Sequence, residues 1–273
     1  MAWCDAGIDR REAALVRVVV AFAIWAAASC SAPADDKNPA EKPPQIILAM
    51  PLGISGGVST RLTLRGLSLD ETSGVTITAA DQPIEAKILD KKKVPLPPNQ
   101  PADIIGDTQI EIELTAPAET ATDHLSLIVD GPKGKSEPYQ LPITASNELI
   151  AEQEPNDALT QCQPISAGKT IVGSIHEAQN VDVFDLDGRA GDAVNFAVEA
   201  RKYGSRLDAL LWLHDSRGNL LVSADDHDAS VDSQMRFTIP EDGKYFLTLM
   251  DANDLGGAAY GYRLSITSGS TNP

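Results

Sequence analysis

Apolar and polar residues alternate along much of the chain. Thr60-Arg61-Leu62-Thr63-Leu64-Arg65 and Gln109-Ile110-Glu111-Ile112-Glu113-Leu114 are the clearest runs. Further on, Val194, Phe196 and Val198 interleave with Asn195, Ala197 and Glu199. A period of two puts one set of side chains on a buried face and the other in solvent, so these runs predict half-buried strands. The pattern predicts strands over 46–50, 61–67, 75–79, 84–89, 108–114, 124–129 and 139–144. A second series is predicted over 170–175, 182–186, 193–200, 209–214, 220–224, 235–239, 245–251 and 262–267. Gly, Pro, Asn and Asp punctuate the gaps, and Asp215-Ser216-Arg217-Gly218-Asn219 and Glu241-Asp242-Gly243 read as hairpin turns. No helical period is evident beyond the N-terminal segment. Many short strands separated by turns predict an all-β protein of two tandem β-sandwiches, over 45–146 and 147–273.

The N-terminus has a different character. Residues 18–28 read VVVAFAIWAAA, preceded by Arg10, Arg11 and Arg17 and followed by Ser29 and Cys30. A charged start, a short apolar run and a small-residue exit predict a signal peptide over 1–29, because a membrane-spanning helix needs about 20 apolar residues. Ala27-Ala28-Ser29-Cys30 resembles a bacterial lipobox, with Ala27 where that pattern usually has Leu. The resemblance implies that Cys30 is lipidated and that any membrane attachment is through this anchor. Plain cleavage nearby is the other reading. Residues 30–44 are rich in Pro and charge, as a flexible tether would be. The expected location is outside the cytoplasm, in the cell envelope or secreted.

Charge and cysteine narrow the choices. The 273 residues carry a formal net charge of -17, which argues against nucleic-acid binding, since that rests on cations neutralising phosphates. The acids are spread out, with 19 Asp+Glu against 9 Lys+Arg after residue 150 and 20 against 13 before it. Of Cys4, Cys30 and Cys162, only Cys162 falls in the folded part. A disulfide within that part is therefore excluded, and Cys162 reads as a small buried hydrophobe.

One local motif carries chemistry. Glu152-Gln153-Glu154-Pro155-Asn156-Asp157 sets oxygen-bearing side chains together just before the second strand series. Pro155 biases Glu154 towards an extended backbone, in which Glu152, Glu154 and Asn156 share a face. Converging carboxylate and amide oxygens suit a hard cation such as calcium. The same residues also suit a polar turn in which Asn156 or Asp157 bonds to the backbone. Asp225-Asp226-His227-Asp228 is a second acidic cluster, at an expected hairpin tip where acids are usually solvated.

After this motif come Gly173-Ser174-Ile175, Asn180-Val181-Asp182-Val183-Phe184, Leu207-Asp208-Ala209, Asp215-Ser216-Arg217-Gly218, Ala224-Asp225-Asp226, Pro240-Glu241-Asp242-Gly243-Lys244-Tyr245 and Tyr260-Gly261-Tyr262-Arg263-Leu264. In this order they resemble the bacterial pre-peptidase C-terminal domain, over nearly all of 147–273. The resemblance implies a jelly-roll-like sandwich, of a kind usually appended to secreted proteases and other exported proteins. Related collagen-binding domains bind calcium at the equivalent linker. By that analogy Glu152, Glu154, Asn156, Asp157, Asn180 and Asp182 would be metal ligands, with Ser174 and the Tyr262 backbone as further contributors. Asn180 stands where the family's Asp-x-Asp-x-Phe pattern has its first acid, at the cost of one charge. In the first region, Pro51-Leu52-Gly53, Ser59-Thr60 and Leu62-Thr63-Leu64-Arg65-Gly66-Leu67 resemble an immunoglobulin-like (IPT/TIG-like) repeat.

No HExxH, Walker-type or Rossmann-type motif occurs, and Gly53-Ile54-Ser55-Gly56-Gly57 has the G-x-S-x-G spacing but reads as a turn between β segments with no following helix, not a nucleophile elbow, so no enzyme is expected. The sequence instead predicts a non-catalytic exported module that binds a protein or polysaccharide, or else a spacer or accessory subunit for a peptidase encoded elsewhere. Trp212 is expected in a core strand, and Tyr203 and Tyr260 are the expected surface aromatics. Residues 145–147 form the joint, either rigid or swinging.

Overall fold

The computed structural model describes residues 42–269, apart from 98, 99 and 229. The expected signal peptide, most of the expected tether and Cys30, the expected lipidation site, lie outside the described residues. The first half contains β1 (Gln45–Met50), β2 (Ile54–Ser55), β3 (Ser59–Leu67), β4 (Gly74–Ala79) and β5 (Gln82–Ile84). It continues with β6 (Ala86–Lys93), a one-turn helix α1 (Ala102–Ile105), β7 (Thr108–Thr115), β8 (His124–Gly131), β9 (Gly134–Lys135) and β10 (Tyr139–Thr144). One sheet has the order β1-β3-β7-β6, and the other β2-β10-β8-β4-β5 with β9 against β8. The alternation seen in the sequence sets the register, pairing Leu62 with Ile112 and Leu64 with Ile110. All four are fully buried, in one core with Ile77, Leu125, Leu127 and Val129 from the opposite sheet.

The second half contains β11 (Leu149–Ala151), β12 (Gln163–Pro164), β13 (Lys169–Ser174), β14 (Val181–Gly188) and β15 (Ala193–Glu199). After a 3₁₀ turn at Arg201–Tyr203 come β16 (Ala209–His214), β17 (Leu220–Ala224), β18 (Gln234–Thr238), β19 (Gly243–Asp251) and β20 (Gly261–Gly269). The sheets have the orders β11-β13-β20-β15-β18 and β12-β14-β19-β16-β17. Phe184, Phe196, Leu211, Leu247, Leu249, Tyr262 and Leu264 fill the space between them. The chain is thus all-β, with two tandem sandwiches.

The two sandwiches pack on one another, and the chain from Glu41 onward forms one compact unit. Leu48, Leu52 and Ile105 from the first half join the hydrophobic core of the second. Full burial of side chains of this size contributes about 1.5–3 kcal/mol each. Tyr139 Oη donates to the Tyr203 carbonyl at 2.8 Å and accepts from Ala49 N–H at 3.3 Å. Arg263 Nη2 reaches Thr144 Oγ1 at 2.8 Å while its Nε pairs with Glu199 at 3.3 Å. Gly204 turns the chain at φ 82°, and a Cβ there would sit 1.8 Å from the Ile47 carbonyl oxygen, so the close approach of the halves requires glycine. These contacts bridge the two sides of the joint at 145–147.

Several side-chain expectations need correcting. Tyr203 and Tyr260 are buried, at 6% and 7% exposure, because they sit where the sandwiches meet rather than on loop tips. Trp212 lies on the outer, half-buried face of β16, edge-on to His214; the inward positions of that strand are Ala209, Leu211 and Leu213. Cys162 is half-buried, with its thiol bonded to the Leu159 carbonyl at 3.3 Å and Asp185 at 3.4 Å, so it is not a core hydrophobe.

Candidate metal centre

β11 hands the chain directly to Glu152, whose N–H bonds the Val172 carbonyl of β13 at 3.0 Å. This fixes Glu152 over the start of the β13–β20 pair, where Gly173 faces Tyr262. A Cβ on Gly173 would lie 2.6 Å from both Glu152 Oε2 and Tyr262 Oη, so only a glycine leaves room for these side chains to meet. Asp182 comes up from β14 in the facing sheet, fully buried, and Glu154 follows from the acidic run, whose Glu154–Pro155 bond is cis. Carboxylate oxygens of Glu152, Glu154 and Asp182 all lie within 4.8 Å of one another. Oxygens bound to one calcium at about 2.4 Å can be no more than about 4.8 Å apart, so the spacing suits a shared ion.

The hydrogen bonds are short of protons. The Tyr262 hydroxyl lies 2.6 Å from Glu152 Oε1 and 2.7 Å from Asp182 Oδ2, yet it has one proton to give. The other contact needs a proton on a carboxyl group or a cation close by. Burial, followed by the hydrogen bond and charge of Glu152, holds the Asp182 carboxyl far above the usual carboxylate range. Burial and the same two carboxylates push the Tyr262 phenol well up. Two acceptor atoms, Asp182 Oδ1 and Asn156 Oδ1, are buried without any hydrogen-bond partner. Both residues are 0% exposed. Buried acceptors of this kind are costly unless something positive meets them.

The remaining contacts brace the site. Glu152 Oε2 accepts from Ser174 N–H at 2.9 Å, and Glu152 Oε1 accepts from Asn156 Nδ2 at 3.2 Å. Glu154 accepts from Asn156 N–H at 3.2 Å and pairs with His176 Nδ1 at 2.8 Å. Of the six residues named from sequence, the structure brings Glu152, Glu154, Asn156 and Asp182 together. Asp157 and Asn180 bond one another beside them at 2.9 Å, and Asn180 Oδ1 is taken by His176 N–H at 3.2 Å. Sequence reasoning missed the Tyr262 hydroxyl, His176 and the space at Gly173. The inward alternation of 262, 264 and 266 was the available signal for Tyr262.

Among the described residues no His ring bonds a Ser, Thr or Cys side chain. The His rings meet Asp123 and Tyr203 at His124, Glu154 and Glu177 at His176, Trp212 at His214, and Asp228 at His227.

No family model matches the chain. It is 38% identical over 105 residues to a protein of Deinococcus radiodurans named as a probable subtilase-type serine protease, a match covering 37% of this chain and 14% of that relative. Among solved structures, it is similar to the pre-peptidase C-terminal domain of a collagenase from Bacillus anthracis. That likeness has TM-score 0.33 and 18% identity, covering 42% of this chain and all of that one. It is also similar to a glucan-locus SGBP-B protein of Bacteroides ovatus, solved with a mixed-linkage heptasaccharide. Here the TM-score is 0.25 and identity 9%, over 82% of this chain and 74% of that one. At such scores the fold rests on the sheet topology described above.

Proposed function

We propose that the chain is a non-catalytic exported binding module of the cell envelope, whose second sandwich is a pre-peptidase C-terminal domain clamped by calcium. The observation that carries the cation is the pair of buried acceptors without partners, Asp182 Oδ1 and Asn156 Oδ1, beside three converging carboxylates. The donors are all oxygen, the preference of calcium. Glu152, Glu154 and Asp182 would supply charge, Asn156 a neutral oxygen, and Tyr262 and Ser174 N–H would hold Glu152 in place. The ion would replace the proton that the metal-free cluster must borrow. Extracellular calcium modules work with dissociation constants of about 10⁻⁴–10⁻³ M, so a site of modest affinity would be filled outside the cell.

The test is a thermal melt of the purified chain in calcium, in magnesium and in EDTA. Because a ligand that binds only the folded state raises the midpoint by mass action, calcium is expected to raise it. Identical midpoints in all three buffers would remove the metal. The match to a subtilase-type relative favours a second reading, an accessory subunit of a secreted peptidase. Stable association with such a peptidase, measured by sedimentation, would support it.

A further inference from the structure

Where the sandwiches meet, a cavity of about 280 Å³ opens on the side of α1. Arg65, from β3, and Arg206, from the loop after the 3₁₀ turn, both line it, as do Ile105, Leu255 and Tyr260. No acidic residue is among its described lining residues, in a chain of net charge -17. Other cavities differ: one of about 550 Å³ has Glu85 and Glu113 in its wall, and one of about 370 Å³ has Asp187 and Asp192.

Arg65 is 9% exposed and is aimed by its own hydrogen bonds, Nε to the Gly106 carbonyl at 3.1 Å and Nη2 to the Pro95 carbonyl at 3.2 Å. Burial lowers its pKa, and the charge of Asp107 offsets this only in part. Arg206 Nε is buried without a hydrogen-bond partner. On the Tyr260 side the charge of Asp251 acts on the Tyr260 phenol. Its carboxylate is occupied by the N–H groups of Asp208, Asn253 and Leu255, each at 3.0 Å. Apart from the two arginines and Gln100 the lining is mostly apolar, and Leu255 in it is 44% exposed.

We propose that this cleft binds a carboxylate carried on an apolar body, and that its ligand is the C-terminal residue of a peptide or protein. Guanidinium groups match the planar carboxylate and donate charge-assisted hydrogen bonds to it, while exposed Leu255 would cover an aliphatic side chain. The volume is at the small end for ligand sites, enough for one residue and not for a polymer. An acidic sugar fits less well, because sugar rings stack on exposed aromatic faces and Tyr260 is 7% exposed. Free phosphate leaves the apolar walls without a partner. The inference rests on the binding-module reading, names a site for it, and does not depend on the cation.

The experiment is calorimetric titration of the whole chain with acetyl-Gly-Leu as the free acid and as its C-terminal amide, alongside glucuronate and inorganic phosphate. The free acid should bind at least about 10-fold more tightly than the amide, the loss expected when a charge-assisted pair is removed. Arg206→Gln should lose the same factor, and Arg206→Lys should recover part of it, with thermal midpoints unchanged. Equal binding of acid and amide would overturn the proposal. So would binding of glucuronate or phosphate without the peptide, the former assigning the cleft to an acidic sugar. No binding of any probe up to about 10 mM would also overturn it, and a persisting calcium-dependent melt would show that the clamp survives. Peptide binding without a calcium response would sink the clamp and leave the cleft.

Discussion

Among the described residues the second sandwich holds two carboxylate triads, Glu152/Glu154/Asp182 and Asp208/Asp225/Asp226, each with oxygens within 4.8 Å of one another. In the first, Asp182 and the neighbouring Asn156 are fully buried, and each keeps an acceptor without a partner. In the second, Asp225 and Asp226 are exposed, and half-buried Asp208 accepts from Asn253 Nδ2 at 3.0 Å. Burial, then the charges of Asp226, Asp225 and Asp251, raise the Asp208 carboxyl, while Asn253 opposes them. At a hydrated surface, water and salt screen such repulsion and ask for nothing in return. Out of water the same proximity demands a proton or a cation. Closeness of acids is thus common to both triads; burial with unanswered acceptors is what sets the first apart.

The largest test of this contrast is calcium itself. At about 100 times its dissociation constant a ligand stabilises by about 2.7 kcal/mol, and about 2–4 °C of midpoint per kcal/mol is typical of chains this size. Asp182→Asn should abolish that response in differential scanning calorimetry, and without metal it should melt close to wild type, since a neutral amide replaces a carboxyl that burial and Glu152 already keep protonated. A variant that keeps the full calcium response would contradict the assignment. Gly173→Ala comes next, at about 1–3 kcal/mol from overpacking against Glu152 and Tyr262, read by urea titration. Tyr262→Phe should cost about 1–2 kcal/mol, more in EDTA than in calcium, because the metal-free cluster has that hydroxyl proton to share between Glu152 and Asp182, whereas beside the ion it would serve only to hold Glu152. A larger loss in calcium would reverse the argument. Smallest of all, Asp225→Asn with Asp226→Asn should shift stability by less than about 0.5 kcal/mol and leave the calcium response of the melt unchanged. Loss of that response would make the exposed triad the metal site.

Most of the fold was legible because its strands alternate cleanly. The predicted 139–144, 209–214 and 220–224 match β10, β16 and β17. The span 84–89 was read as one strand, but Pro83 and Ile84 end β5 and a separate β6 begins at Ala86. β2, β9, β11 and β12 are two or three residues long and too short to show a period. They exist because a longer neighbour offers an edge, as β13 does for β11. At the site, the run from Glu152 to Asn156 announced its own oxygens. Tyr262 is 110 residues from Glu152 and meets it only through the β13–β20 pairing, which no local pattern encodes. Tyr203 and Tyr260 were misread for a related reason: loop position predicts exposure only until a second sandwich covers the loop.

Leu48, Leu52 and Ile105 complete the core of a sandwich to which they do not belong by sequence. The smallest portable cassette is therefore the two sandwiches together, not either half. A protease that nicks 145–147 would leave two fragments travelling together through a sizing column. A fusion built from 147 onward would transplant a sandwich with its apolar seam uncovered, and aggregation rather than faulty ligand recognition would be its first symptom.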